Sequence, residues 1–317
     1  MTDPKEQIKS ILKKGKMTGS WMIIGPYGVG KKAFAESLCA FLLTGNWERK
    51  LNFHPDVKWV ERSLTEEEKK ETVKAILAGK EVATSDAERA KKKEITVDDI
   101  REALRFLSLK SSGTGLRILI VNLADEMNEN AANAILKMLE EPSPNTLILL
   151  LCQNTGRLLP TIRSRCRKII LRPLSFEKMC EQIRQQYPTC KDVELIASLC
   201  DGSIGLAKDI IENNGIELYQ NILSLCVPSN HLNIEKLSLF ADMIQKDDRA
   251  YALMKIFVLN IINERAKKEA RIGMMQAEVW TDLYQEVTEI FRQIDTLYLD
   301  KKQFIMKFFL KIAEEIK

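Results

Sequence analysis

Histidine is nearly missing from the chain: His54 and His231 are the only two in 317 residues. So little imidazole disfavours hydrolases that rely on a histidine base. Paired cysteines are missing too. The seven thiols are odd in number, at least ten residues apart and form no CxxC. That spacing excludes a zinc ribbon and a redox dithiol, and points to free thiols in a reducing compartment. No apolar run approaches the ~20 residues of a membrane span. The start, Met1-Thr2-Asp3-Pro4-Lys5-Glu6, lacks the basic flank and apolar stretch of a signal peptide. The expectation is a soluble cytoplasmic protein. An excess of one charge is missing as well: 48 Lys and Arg face 44 Asp and Glu, a net of +4, too slight to mark a nucleic-acid binder. There is no internal repeat.

An apolar fraction of 45% and a charged fraction of 29% are those of a globular protein. At about 150 residues per domain the length suggests two domains, or three small ones. The first half alternates short apolar runs with helical patterns. Trp21 to Ile24, Val57 to Val60, Ile118 to Leu123, Leu147 to Cys152 and Ile169 to Leu171 read as strands buried on both faces of a parallel sheet. Ala131, Ala134, Ile135, Met138 and Leu139 recur at helical spacing and stop at Pro142, which predicts a helix between two strands.

Pro173 opens a second half with helical periodicity throughout. Turn signals at Asp201-Gly202-Ser203 and Asn213-Asn214-Gly215 divide it into 173–215 and a bundle 216–317. The stripe Trp280, Tyr284, Val287, Phe291, Ile294 and Tyr298 reads as helix packing. Residues 63–94 mix charges with few large apolar groups, and read as a solvated helical or mobile insertion.

Gly25-Pro26-Tyr27-Gly28-Val29-Gly30-Lys31-Lys32 fits GxxxxGK between a strand and a helix predicted over Ala33 to Leu43. Backbone N–H groups, the helix dipole and Lys31 would all face phosphate oxygens in such a loop. Lys32 stands where an active site needs a Ser or Thr hydroxyl for Mg²⁺, and an ammonium repels the ion it should hold. Asn122 and Leu123, at the end of the strand read over Ile118-Leu119-Ile120-Val121, stand where a Mg²⁺-directing Asp and a water-activating Glu are expected. Asp125 and Glu126 offer the alternative of a shifted register.

Three segments carry a family resemblance: 122–128, then Asn130-Ala131-Ala132-Asn133-Ala134-Ile135-Leu136-Lys137-Met138-Leu139-Glu140-Glu141-Pro142, then Leu158-Leu159-Pro160-Thr161-Ile162-Arg163-Ser164-Arg165-Cys166. With His54-Pro55-Asp56 and 95–101 they resemble the clamp-loader branch of the AAA+ superfamily, over about residues 13–175. The resemblance implies an AAA+ P-loop domain with a parallel sheet over 1–172, a small helical lid over 173–215 and a C-terminal helical collar over 216–317. It assigns Asn122 and Leu123 to the acidic pair, and Gly205 in Gly202-Ser203-Ile204-Gly205 to the position of a sensor arginine. Gly25, Gly28, Gly30, Lys31 and Lys32 then form a vestigial nucleotide loop.

Ser164, Arg165 and Cys166 remain intact, and the branch uses this arginine as a finger in the ATP site of a neighbouring subunit. A lost cis site with a kept finger is similar to the delta prime family of the bacterial DNA polymerase III clamp loader. That likeness implies a non-hydrolysing stator, without enzyme activity of its own, at a cytoplasmic, nucleoid-associated location. It requires no cofactor and leaves ATP or ADP as a weak occupant. It implies gamma/tau and delta subunits as partners, with the sliding clamp and primer-template DNA reached through the complex. An active gamma/tau-type ATPase is the alternative. Two departures stand out: no cysteine lies between Gly45 and Phe53, so no zinc is expected, and little sequence precedes Lys13 to form the leading helix of the family. From Pro142 to Phe176 six basic residues, Arg157, Arg163, Arg165, Arg167, Lys168 and Arg172, meet no acid. Apart from Arg165 they are candidates for contact with a subunit or with DNA phosphates.

Overall fold

The computed structural model describes residues 4–13, 17–49, 54–63, 94–109, 111, 115–226, 233–271, 274–297 and 300–315. The charged insertion at 63–94 falls almost wholly outside them. Contacts divide the chain into two units, Met1–Pro173 and Leu174–Lys317.

The first unit begins with α1 (Pro4–Lys13), which corrects the expectation that too little chain precedes Lys13. Ile8, Ile11 and Leu12 stand at i, i+3 and i+4, and Ile8 is fully buried in the core, so one helical stripe suffices to anchor the segment. Then follow β1 (Gly19–Ile24), α2 (Lys31–Thr44), β2 (Val57–Val60), α3 (Val97–Ser108), β3 (Arg117–Val121), α4 (Glu129–Glu140), β4 (Thr146–Cys152), α5 (Pro160–Arg165) and β5 (Arg167–Ile170).

The five strands form one sheet in the order β2-β3-β4-β1-β5, and every pairing is parallel. Side chains alternate faces along a strand, and the core divides accordingly. Ile148, Leu150 and Cys152 of β4 join Leu119 and Val121 of β3 under α3 and α4. Leu147, Leu149 and Leu151 join Ile118, Ile120, Trp21 and Ile23 against α1 and α2. β3 and β4 are buried at every position, as their unbroken apolar runs imply.

Two local devices fix the sheet's left side. The turn at His54 closes on itself, with the Asp56 N–H donating to His54 Nδ1 at 3.2 Å and the Val57 N–H to the His54 carbonyl at 3.0 Å. The fully buried Asp56 lies 3.9 Å from the Arg117 guanidinium, which also stacks on Phe106. At the start of α3, the Thr96 N–H and hydroxyl both donate to Asp99, at 2.8 and 2.6 Å, satisfying a helix start from the side chain three residues on.

The second unit holds α6 (Phe176–Gln186), α7 (Val193–Leu199), α8 (Ile204–Glu212), α9 (Gly215–Cys226), α10 (Ile234–Lys246), α11 (Asp248–Ala270), α12 (Met274–Leu297) and α13 (Lys301–Glu315). One apolar cluster runs from Met179 to Ile312. Asp201, Gly202 and Asn214 have positive φ, as the two turn signals require. In the aromatic stripe Trp280, Val287, Phe291 and Ile294 are buried. Tyr284 is the exception, exposed while Leu283 turns inward, because a helix advances 100° per residue and the core-facing arc there centres one residue earlier. Tyr298 lies outside the described residues.

Candidate functional site: a closed phosphate loop and an exposed arginine

Residues 25–30 link β1 to α2 at the carboxyl end of the sheet, where open α/β folds bind ligands. Gly25 is glycine for lack of room: a Cβ would lie 2.7 Å from Val29 Cγ1 and 2.8 Å from the Leu171 carbonyl. Gly30 is glycine for its backbone, with φ 92° and open space around the missing Cβ, and Gly28 has φ 68°.

Inside this loop Lys31 turns back on its own chain. Its Nζ donates to the Gly25 carbonyl at 2.7 Å and to the Pro26 carbonyl at 2.8 Å, and the residue is only 7% exposed. Burial lowers its pKa from the ordinary lysine value, and the nearby Asp125 carboxylate partly opposes that shift. The charge that would meet a phosphate is thus turned onto loop carbonyls.

Lys32, at the Mg²⁺-hydroxyl position, points elsewhere. Its Nζ pairs with Glu61 at 2.9 Å and lies 5.4 Å from the centre of the Trp59 ring. The same Glu61 oxygen accepts from Asn122 Nδ2 at 3.2 Å. Lys32 and Asn122, the two departures from a Mg²⁺ site, therefore meet on one carboxylate just past β2. The sequence reading missed Glu61, whose signal is its position directly after Val60, level with the end of β3.

Leu123 adopts a left-handed conformation, φ 55°, and starts a 3₁₀ turn, Ala124–Glu126. The two carboxylates of the shifted register hold structural contacts. Asp125 accepts from the N–H groups of Gln153 and Asn154 at 3.1 and 3.0 Å. Glu126 pairs with Arg62 at 3.1 Å.

Ser164 and Arg165 end the short helix α5, held by the fully buried Ile162. Ser164 donates to the Thr161 carbonyl at 3.0 Å. Arg165 Nη1 donates to that same carbonyl at 2.9 Å, and Nη2 pairs with Glu140 at the end of α4. The Arg165 side chain stays 34% exposed. Glu140 was quoted in the sequence only as part of a motif, and its role emerges from this contact. Cys166 is 7% exposed and burial pushes its thiol up to about 11, the profile of a packed, unreactive cysteine.

Ser203 caps α8, accepting from the Leu206 N–H at 3.1 Å, and Gly205 lies in that helix's first turn, where it offers no side chain. Arg167 stacks on Trp21 at 5.4 Å; it and Lys168 are exposed along β5, the strand at one edge of the sheet. No helix among the described residues is long and apolar enough to cross a membrane.

Residues 2–175 match the sequence model of the family described as DNA polymerase III, delta subunit. The chain is similar to DNA polymerase III subunit delta' of Pseudomonas aeruginosa, 34% identical over 147 residues, 46% of this chain and 41% of that one. It is also similar to the Escherichia coli subunit of that name, 31% identical over 142 residues, 44% of this chain and 42% of that one. The aligned part thus spans less than half the length of these curated relatives. A solved DNA polymerase III gamma subunit-related protein of Thermotoga maritima shares the fold, with a TM-score of 0.53 and 18% identity over 99% of this chain and 100% of that one. With the family's model spanning more than half of its residues, the chain belongs to the family described as DNA polymerase III, delta subunit, and is similar within it to delta' subunits.

Proposed function

We propose that the chain is a non-hydrolysing clamp-loader subunit within DNA polymerase III. It would act as a stator and lend Arg165 to the ATP site of a neighbouring subunit. The observation that carries this reading is the contrast between two cationic sites. Lys31 is 7% exposed and donates to carbonyls of its own loop, while the Arg165 side chain is 34% exposed at the end of a helix. The chain needs no cofactor and no metal in this role. Its partners would be gamma/tau and delta subunits, with the sliding clamp and primer-template DNA reached through the assembly, at a cytoplasmic, nucleoid-associated location. Residues 173–215 would serve as lid and 216–317 as collar.

The gamma/tau-type alternative needs Asp125 and Glu126 for catalysis, and both are held in structural contacts. Isolated protein is expected to show no DNA-stimulated ATP hydrolysis. In an assembly reconstituted with its ATPase subunits, Arg165→Ala should leave stoichiometry unchanged and slow turnover at the site it faces. In GTPase systems such fingers contribute about 10³ to 10⁵ in kcat. Hydrolysis by the isolated chain, or normal turnover in the mutant assembly, would refute the reading.

A further inference from the structure

We propose that Glu140 is a positioning residue for Arg165: it holds the guanidinium in a parked orientation, and the neighbour's phosphate must displace it. This rests on the trans-finger reading above and adds a regulatory element to the same site.

The geometry is one of competition for the same nitrogens. Nη1 donates to the Thr161 carbonyl at 2.9 Å and Nη2 pairs with the Glu140 carboxylate. A phosphate bound by a fork of two parallel N–H groups that includes Nη2 meets the Glu140 carboxylate as a competitor for that nitrogen.

Neither backbone is free to adjust. The α4 terminus is tied to the sheet by the buried Ser20 hydroxyl, which donates to the Leu139 carbonyl at 3.2 Å, with Leu139 itself buried. On the other side Ile162 and Cys166 lie in the same core cluster as Leu139. Release must then come from rotamer changes of the two side chains and not from a shift of either backbone. Both partners are partly exposed, 34% for Arg165 and 46% for Glu140, so the pair is weak. An exposed ion pair shifts an equilibrium by at most about fivefold. That is strong enough to bias the empty state and weak enough for a dianion in a dry interface to overcome.

The test uses the reconstituted assembly at sub-saturating ATP. Glu140→Gln keeps shape and removes the charge, so turnover should rise by up to about fivefold. Glu140→Asp should return it toward the native rate. The rise should shrink as salt screens the native pair and vanish in an Arg165→Ala background. A merely structural role for Glu140 predicts none of these four. If Glu140→Gln leaves turnover unchanged or lowers it while Arg165→Ala depresses it, parking is wrong and the finger stands. If Arg165→Ala has no effect, both readings fall together.

Discussion

Lys31 shows how the lysine of a phosphate-loop motif can be turned inward by two carbonyl oxygens. Its buried ammonium has a lowered pKa, so over the interval between that value and the ordinary lysine value the unfolded chain binds more protons. Stability must therefore rise with pH across that interval. The urea midpoint of native protein should climb relative to that of Lys31→Met there, and a constant difference would mean that Lys31 titrates normally. The neutral amine still carries the hydrogens that Gly25 and Pro26 accept, so the loop survives the deprotonation. A second residue-scale test concerns thiols. Cys39, Cys152, Cys166 and Cys200 are buried and pushed up to between about 11 and about 12, and only Cys190 is partly exposed. Brief alkylation of native protein should add one adduct, at Cys190, as read by peptide mass. Labelling at Cys166 would show that its segment opens. Lys32 and Asn122 could be singled out from the sequence because an ammonium and an amide are poor Mg²⁺ ligands whatever their geometry. Glu61 and Glu140 could not, because a carboxylate's partner is set by which chain ends the sheet brings together.

Among the elements, β4 and β5 are a matched contrast. Leu149 of β4 is fully buried, so Leu149→Ala should cost about 2–5 kcal/mol through lost burial and a residual cavity. Ile170 of β5 is 55% exposed, and Ile170→Ala should change stability by no more than about 0.5 kcal/mol. Urea midpoints at constant slope would decide both, and a large loss at Ile170 would mean that the edge is covered in solution. The same edge offers a second role for part of the basic run: Arg167 and Lys168 guard unpaired backbone groups against a foreign strand, whatever else they contact. Ser203→Ala should remove the α8 cap at about 1 kcal/mol. Sequence periodicity located every strand to within a few residues, since a doubly buried strand must be apolar throughout. The apolar run drawn to Leu123 passes two residues beyond β3, where Leu123 takes a left-handed turn, and α1 was not expected because little chain precedes Lys13.

At the scale of the molecule, each unit encloses apolar clusters of its own, so the segment 174–317 has what it needs to fold alone. Expressed separately, it should unfold cooperatively, with its single tryptophan, Trp280, reporting a shielded environment that is lost in urea. A non-cooperative melt would show that the first unit is required. Contacts separate the units after Pro173, and the hydrophobic periodicity of the sequence changes at the same proline. A boundary near 215 left less trace in packing, because side chains on both sides of it share one cluster.

The inward turn of Lys31 has a consequence for the protein's life in a cell. A ligand that binds only the folded state raises melting temperature by mass action, so an ordinary ATPase is steadier in a well-fed cell than in a starved one. If Lys31 keeps its loop carbonyls when nucleotide is offered, the folded fraction should be the same at any adenylate energy charge; a melting temperature that rises with added ATP or ADP would show that nucleotide displaces those contacts.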